Sequence, residues 1–326
     1  MSESNHQGRP GLESGPALDR TIGRRRSDRV VGAGRATQEA VDRAMAAAAS
    51  DRPVVVSGPP GSGKEHLARA IHAWSGRAAG PFVAVSCAAL GESLLAREIF
   101  GCAAAVHARL PEEHPGALAR AASGTALVDA LDRAPEAIRG ELAKAVAEGC
   151  FRREGDGAPH PLQARLVVTA REPLGPALFP DLPFDAIELL PLSERREDIL
   201  PLAVHFLRLA ADEEKVAPVG FTADARNALM DEDWPGNVRE LAERVRQAVK
   251  LAGSGAISAQ ALLLAFDGET VLSFKDAKRA FETSYVRGLL RRCNGNISRA
   301  ARLAKKDRKD FYDVIRRTGI DPSEFR

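Results

Sequence analysis

Aromatic side chains are scarce, at 5% of 326 residues, with two Trp and two Tyr among them. A core of stacked rings is therefore excluded, and alanine, leucine and valine must fill the interior. Cysteine is equally sparse. Cys87, Cys102, Cys150 and Cys293 lie far apart, with no CxxC pair and no histidine at metal-ligand spacing. This pattern argues against a disulfide framework or a thiolate metal site and reads as reduced, buried thiols in a cytosolic protein. No apolar run approaches the length of a membrane span. The N-terminus has no apolar core of a signal peptide. A cytoplasmic location without a membrane partner is expected. An excess of one charge is lacking too: 46 Lys+Arg face 44 Asp+Glu, a net +2. That balance names no partner, so the distribution of charge matters more. Hydrophobic and charged contents of 44% and 28% are ordinary for a globular chain. The length allows about two domains and a small third.

The most informative stretch is Ser57-Gly58-Pro59-Pro60-Gly61-Ser62-Gly63-Lys64-Glu65. It follows Pro53-Val54-Val55-Val56, an apolar β-branched run that predicts a buried strand. It precedes His66 to Ile71, whose apolar spacing is helical. Strand, glycine-rich turn and helix with a lysine at its start make the P-loop arrangement. Glycines let backbone N–H groups approach phosphate oxygens, the helix N-terminus adds partial positive charge, and Lys64 would reach the terminal phosphates. Gly58, Pro59, Pro60, Gly61, Ser62, Gly63, Lys64 and Glu65 are the candidate nucleotide-binding residues, with ATP as the expected ligand. A glycine turn that binds nothing is the alternative. One departure stands out. The Ser or Thr usual after the lysine, a magnesium ligand, is here Glu65.

Residues 1–26 are polar, rich in Gly, Ser, Pro and Arg, and without periodicity, which predicts a disordered basic tail too short for a sensory domain. Arg24-Arg25-Arg26 reads as a solvated charge run rather than a nucleic-acid contact. Thr37 to Ala49 predicts a helix capped by Thr37. Strands are expected at 81–85, 125–129, 165–169 and 186–189, with helices at 92–99 and 135–148 between them. Strands alternating with helices predict an α/β fold, a parallel sheet covered by helices, with its ligand at the C-terminal ends of the strands. After Pro191 the strands stop. Helices are expected at 197–210, 223–230 and 238–251, forming a helical subdomain that ends near Gly268. A last basic helical segment runs from Ser273 to Arg326.

Four stretches carry a resemblance. Phe82 to Leu90 (FVAVSCAAL) is similar to FVAVNCAAL, and Ser193 to Ile199 (SERREDI) to RERREDI. Trp234 to Leu241 is WPGNVREL in full, and the glycine loop ends in Lys-Glu. Together they resemble the sigma-54-dependent transcription activators, AAA+ ATPases also called bacterial enhancer-binding proteins, over about Val30 to Arg326. The resemblance implies a AAA+ P-loop subdomain over 27–192, a helical lid over 193–268 and an all-α Fis-type helix-turn-helix DNA-binding domain over 269–326. It implies rings, as homo-oligomers or mixed with a related activator. ATP is hydrolysed between neighbours, and a Gly-Ala-Phe-Thr-Gly-Ala loop pushes on sigma-54 bound to RNA polymerase. Arg239 takes the family's sensor position on the lid, and Asp129 the aspartate that holds Mg²⁺.

Other positions depart from the family. Gly116 to Asp129 (GALARAASGTALVD) aligns without gaps to GxFExAxGGTLFLD, so Ala130 stands where a glutamate orients the attacking water. Alanine can neither accept a proton nor polarise water. Ala170 replaces the sensor asparagine before Arg171. Phe179 to Asp185 replaces the stretch that carries the arginine fingers and contains no arginine. Loss of a finger alone costs about 10³–10⁵ in rate. Ala105-Val106-His107-Ala108-Arg109-Leu110 occupies the place of the sigma-contacting motif without its glycines or Phe-Thr tip. His107 there reads as an ordinary loop histidine.

The tail resembles the Fis-type unit over Phe274 to Ile320. A helix is expected at 274–292, a turn at Asn294-Gly295-Asn296, a first motif helix at 297–304 and a recognition helix at 307–317, with Phe311, Val314 and Ile315 facing inward. Between Arg287 and Arg317 eleven Arg and Lys residues face Asp307, Asp310 and Asp313 alone, the footprint of a double-stranded DNA partner. Arg308, Lys309 and Tyr312 would reach base edges or phosphates, and Arg299, Arg316 and Arg317 phosphates. A solvated basic bundle used for dimerisation is the alternative. Three functions follow from these readings. The chain is a DNA-binding regulator that binds ATP but hydrolyses it poorly, an active ATPase that remodels sigma-54 holoenzyme, or a DNA-binding module on an oligomerisation scaffold.

Overall fold

The structure, a computed structural model, describes residues 30–104, 106, 112–180, 182–218, 220–265, 283 and 285–325. The tail over 1–26, most of the loop at 105–110 and the expected helix before 283 lie outside the described residues.

Five parallel strands form the central sheet: β1 (Val54–Ser57), β2 (Phe82–Ser86), β3 (Thr125–Asp129), β6 (Arg165–Ala170) and β7 (Asp185–Glu188), in the order β2-β3-β6-β1-β7. Of the three interior strands, β1 and β6 are buried at every residue, which is why they read as unbroken apolar runs. Successive side chains point to opposite faces. Val54, Val56, Leu127 and Val167 therefore share one core with Ala40, Ala44, Leu67 and Ile71 of α1 (Arg35–Ala48) and α2 (Lys64–Trp74). Val55, Ala126, Val128, Leu166 and Val168 enter a second core with α3 (Glu92–Phe100), α4 (Gly116–Arg120) and α5 (Glu136–Glu148). Alanine on α1 lets that helix approach the sheet closely, which is how a core with few rings closes. Arg165 is the polar exception. It is 3% exposed and donates to Ala47 O at 2.6 Å and to Arg52 O at 3.1 Å, tying the end of α1 to the sheet.

A short hairpin, β4 (Cys150–Phe151) with β5 (His160–Pro161), was not legible in the sequence. Within the segment 179–185, Phe179, Leu182 and Phe184 pack against the second core. Phe179 is 2% exposed and its ring lies 6.0 Å from that of Phe184, beside Leu178 of α6 (Gly175–Leu178). Beyond it, α7 (Ile199–Glu214), α8 (Ala223–Asp231), α9 (Asn237–Ala252) and α10 (Ala259–Leu264) enclose a separate core around Trp234, Leu241 and Val245. The expectation that strands stop after Pro191 needs correction: β8 (Gly220–Phe221) pairs in parallel with β9 (Ala256–Ile257) inside this helical unit.

The last unit joins a helical run over residues 285–292 (α11) to α12 (Ile297–Leu303) and α13 (Arg308–Thr318). Val286, Leu290, Ala300, Phe311 and Ile315 are its core. Asn296 caps α12 by accepting from Arg299 N at 3.0 Å. In the turn between α12 and α13, where glycine is usual in the resembling family, Lys305 takes φ +51°, a conformation costly for a residue with a Cβ.

Candidate functional site

The glycine loop leaves the C-terminal end of β1 and turns into α2, so its backbone sits at the strand ends where such sheets hold ligands. Gly63 caps α2 at φ +103°, with open space where a Cβ would stand. Gly61 has φ +76°, and a Cβ there would lie 2.2 Å from Gly236 O. Here glycine is required both for the turn and for the approach of the helical unit. We expect Gly61→Ala to cost about 1–3 kcal/mol and to loosen that contact. Thermal melting and faster amide exchange at 237–241, with strand amides unchanged, would check it.

Lys64 Nζ donates to Gly58 O at 2.8 Å and to Pro59 O at 3.0 Å, so the ammonium stands at the mouth of the loop. Burial lowers its pKa, while Asp129 and Asp132 pull it back up. Ser62 is 2% exposed and its Oγ has no hydrogen-bond partner among the described residues. Glu65 turns away: its carboxylate accepts from Arg69 Nη2 at 2.8 Å, one helical turn along, and Arg69 in turn lies 4.7 Å over the Phe82 ring.

Asp129 ends β3 and is held from both flanking strands. Thr169 Oγ1 donates to it at 2.6 Å and Ser86 Oγ at 3.4 Å. The same Thr169 hydroxyl accepts from Ala130 N at 2.9 Å. Ala130 has φ +54° and a side chain with no polar atom. Ala170 is fully buried, and its carbonyl accepts from Gly58 N at 3.2 Å. Arg171 N donates to Asp132 Oδ1 at 3.3 Å. Cys87 lies near these acids; burial first, then Asp129, pushes its thiol pKa up to about 12, which makes it inert at neutral pH.

Gly61 to Leu67, Asp129 and Arg239 line one cavity of about 420 Å³. Its other end is apolar, formed by Val30, Val31, Val41, Leu202 and Phe206. Cationic, hydrogen-bonding and apolar walls thus meet in one cleft, which is suited to an anionic ligand with a flat apolar part. The buried, unpartnered Ser62 Oγ and the open side of Gly63 fit an oxygen-rich group in the loop. Asp129 is a donor suited to a hard divalent cation beside it; Glu65, bound to Arg69, is not placed as a second one.

The charged stretch 193–199 supplies residues whose role sequence reasoning missed. Asp198 is fully buried and accepts from Ala33 N and Gly34 N, each at 2.6 Å, and from the Thr37 hydroxyl. Thr37 is therefore not the helix cap; Gly34 is, and Thr37 faces inward from the first turn. Arg195, 6% exposed, donates to Ser62 O at 2.7 Å and to Thr37 Oγ1 at 3.2 Å. Burial lowers its pKa and Asp198 opposes the shift. This pair fixes the entry strap 32–37 against the glycine loop. α7 starts at Ile199, later than the expected 197, because Arg196 to Asp198 form a 3₁₀ turn that carries Asp198 inward. The only hint in the sequence was a charge run, which more often means a solvated face. Asn237 makes the matching contact from the helical unit. Its Nδ2 donates to Pro60 O at 3.0 Å, its Oδ1 accepts from Leu192 N at 2.8 Å, and Arg239 N donates to Gly61 O at 3.2 Å.

In the last unit, Arg299, Arg308, Lys309, Tyr312, Arg316 and Arg317 are all exposed, on helices whose opposite sides carry Ala300, Phe311 and Ile315 into the core. Two further members of the basic count do not join them. Arg287 and Arg291 turn toward Asp233 of the neighbouring helical unit. Among the described residues no helix is long and apolar enough to cross a membrane.

Residues 30–178 match the model of the Sigma-54 interaction domain, and 193–276 that of the AAA+ ATPase lid domain. The transcriptional regulatory protein GlrR of Escherichia coli K12 is 33% identical over 297 residues, covering 88% of this chain and 67% of its own length. The Psp operon transcriptional activator of the same organism is 34% identical over 238 residues, 70% of this chain and 73% of its own. The crystal structure of NtrX from Brucella abortus in complex with ATP superposes with a TM-score of 0.65 at 25% identity, over 90% of this chain and 71% of that one. With identities of 33% and 34% over about two thirds or more of these relatives' lengths, and both domain models matched in order, the chain belongs to the sigma-54-dependent transcription activators.

Proposed function

We propose that the protein is a DNA-binding transcription regulator that holds ATP and Mg²⁺ in the 58–65 cleft and hydrolyses the nucleotide poorly. One observation carries this reading. Gly61, Gly63, Lys64 and Asp129 line a single cavity, while the residue beside Asp129 is Ala130. The loop amides and Lys64 would hold the phosphates, Arg239 would meet them from the lid, and the apolar end would take the base. Asp129 would hold Mg²⁺, which neutralises phosphate charge when bound. Nothing at 130 accepts a proton, Ala170 offers no side-chain amide, and the segment 179–185 packs phenylalanines instead of presenting arginines.

The DNA-binding part rests on the exposed basic residues of α12 and α13, with Arg308, Lys309 and Tyr312 near the start of the second helix. Domain limits at 27–192, 193–268 and 269–326 are part of this reading, and the separate cores around Trp234 and around Phe311 support a division into units. The NtrX relative was crystallised with ATP and with ADP, which supports the nucleotide reading. Family membership supports assembly into a ring, alone or with a complete activator, and a place beside sigma-54 RNA polymerase. The 105–110 sequence lacks the family's contact motif, so a ring of this chain alone is expected not to open promoters.

A single repair should not make a motor. We expect Ala130→Glu to leave steady-state ATP turnover within about tenfold of background, because catalytic groups act as a unit and the fingers are still missing. Turnover typical of a working ATPase in that variant would show that one methyl group was the only lesion. Binding of a labelled mixed-sequence duplex, lost in Arg308→Ala/Lys309→Ala and falling steeply with salt, tests the DNA half. No binding at any salt leaves the scaffold without a DNA-reading end and contradicts the proposal.

A further inference from the structure

The helix α11 has two occupied sides. Val286, Leu290 and Cys293 beyond its end enter the core shared with Phe311 and Ile315. Arg287 and Arg291, one turn apart, meet the lid instead. Arg291 donates to the Asp233 carboxylate and to Asp231 O, and Arg287 Nη1 lies 3.6 Å from Asp233 Oδ2. A groove of about 260 Å³ lined by Leu262, Leu263 and Leu289 lies beside these contacts. The two units therefore meet here through ion pairs around one carboxylate, with open space next to them.

Asp233 belongs to a short connection whose other end touches the glycine loop. Trp234 (φ +52°) and Asn237 (φ +57°) both sit in left-handed conformations and are 1% and 3% exposed. Such backbone persists only where its surroundings over-determine it, so residues 234–237 are held in one fixed conformation. Asn237 holds Pro60 O, and a Cβ on Gly61 would meet Gly236 O. Pro60 directly follows Gly58-Pro59, whose carbonyls accept from Lys64. A lysine that turns one of its three N–H donors to phosphate shares a charge now held by those carbonyls and changes its hold on them. Ligand binding therefore acts on the segment that Asn237 grips, which is the differential contact that any coupling needs.

We propose that residues 231–237 are a rigid link through which occupancy of the glycine loop changes the duplex affinity of the C-terminal unit, with Asp233 as the clamp. The proposal rests on the nucleotide and DNA readings above. Linkage requires reciprocity: ATP shifts the duplex Kd by the factor by which duplex shifts the ATP Kd, about fivefold or more for ordinary coupling. Asp233→Asn, and independently Arg291→Ala, should keep both separate affinities and reduce that factor to about one. A fluorescent mixed-sequence duplex is titrated with the full chain, with and without saturating ATP and Mg²⁺, and ATP binding is titrated with and without duplex. A shift present in the unmodified chain and absent in both variants supports the clamp. An equal shift in the variants, or none in an unmodified chain that binds both ligands, overturns it. Failure of either ligand to bind on its own is seen in the single-ligand titrations; it overturns the underlying reading and the coupling with it.

Discussion

Replacing Trp234 with alanine is expected to cost about 3–5 kcal/mol, the range for truncating a fully buried large aromatic. The indole is 1% exposed at the centre of the lid core. Its Nε1 donates to Leu229 O at 2.9 Å, so truncation also leaves an acceptor near the end of α8 without that donor. The Arg244 guanidinium lies 4.7 Å over the ring and pairs with Glu240 at 2.5 Å and Glu232 at 3.3 Å. Removing the ring takes away the floor of a nearly buried ion cluster. The loss should appear as a lower urea midpoint followed by circular dichroism, with amide exchange accelerated in α9 before the sheet. A loss below about 1 kcal/mol would mean that the lid core closes without its largest residue. The same substitution loosens residues 231–237, so weaker ATP binding should accompany it.

The second large effect is on binding alone. Lys64→Ala is expected to weaken ATP binding by about 10–150-fold, the worth of a charge-assisted contact of about 1.5–3 kcal/mol. Stability should not fall with it. Burial lowers the Lys64 pKa in the folded chain. For a lysine shifted that way, the charged form is penalised in the folded state. The penalty is fully present below the folded pKa and disappears as pH rises above the unfolded value. At neutral pH, removing the amine removes a cost, and the positive end of α2 loses a like charge. An unchanged or raised melting temperature with ATP binding lost is the signature of a ligand-binding lysine. A lowered melting temperature would show that its bonds to Gly58 O and Pro59 O are structural. Duplex binding measured without ATP should be unaffected.

Local signals in the chain were strong where one residue type has one use. Val54 to Val56 and Leu166 to Val168 could only be buried strands, and a Gly-x-x-Gly-x-Gly-Lys turn after one of them placed the cleft. Trp234 to Asn237 marked the lid, although not that Asn237 would reach back to Pro60. What stayed hidden was long-range pairing of polar residues. Thr37 looks like a cap because threonine before a helical run usually is one; Asp198, far along the chain, captures it instead. Arg195 and Asp198 sit in a charge run, and nothing local says which of its members will be buried. Arg287 and Arg291 count as DNA-facing cations by composition, yet one carboxylate from another unit claims both. Two-residue strands such as β8 and β9 carry too little pattern to be seen.

The central claim is that the cleft binds nucleotide without consuming it. The most direct test is a paired measurement on one preparation, of ATP bound at equilibrium and phosphate released at steady state. The account predicts saturable binding that Lys64→Ala weakens by about 10–150-fold, with phosphate release near the buffer background. Sustained, protein-dependent phosphate release by the unmodified chain would contradict it, and so would a chain that binds no ATP.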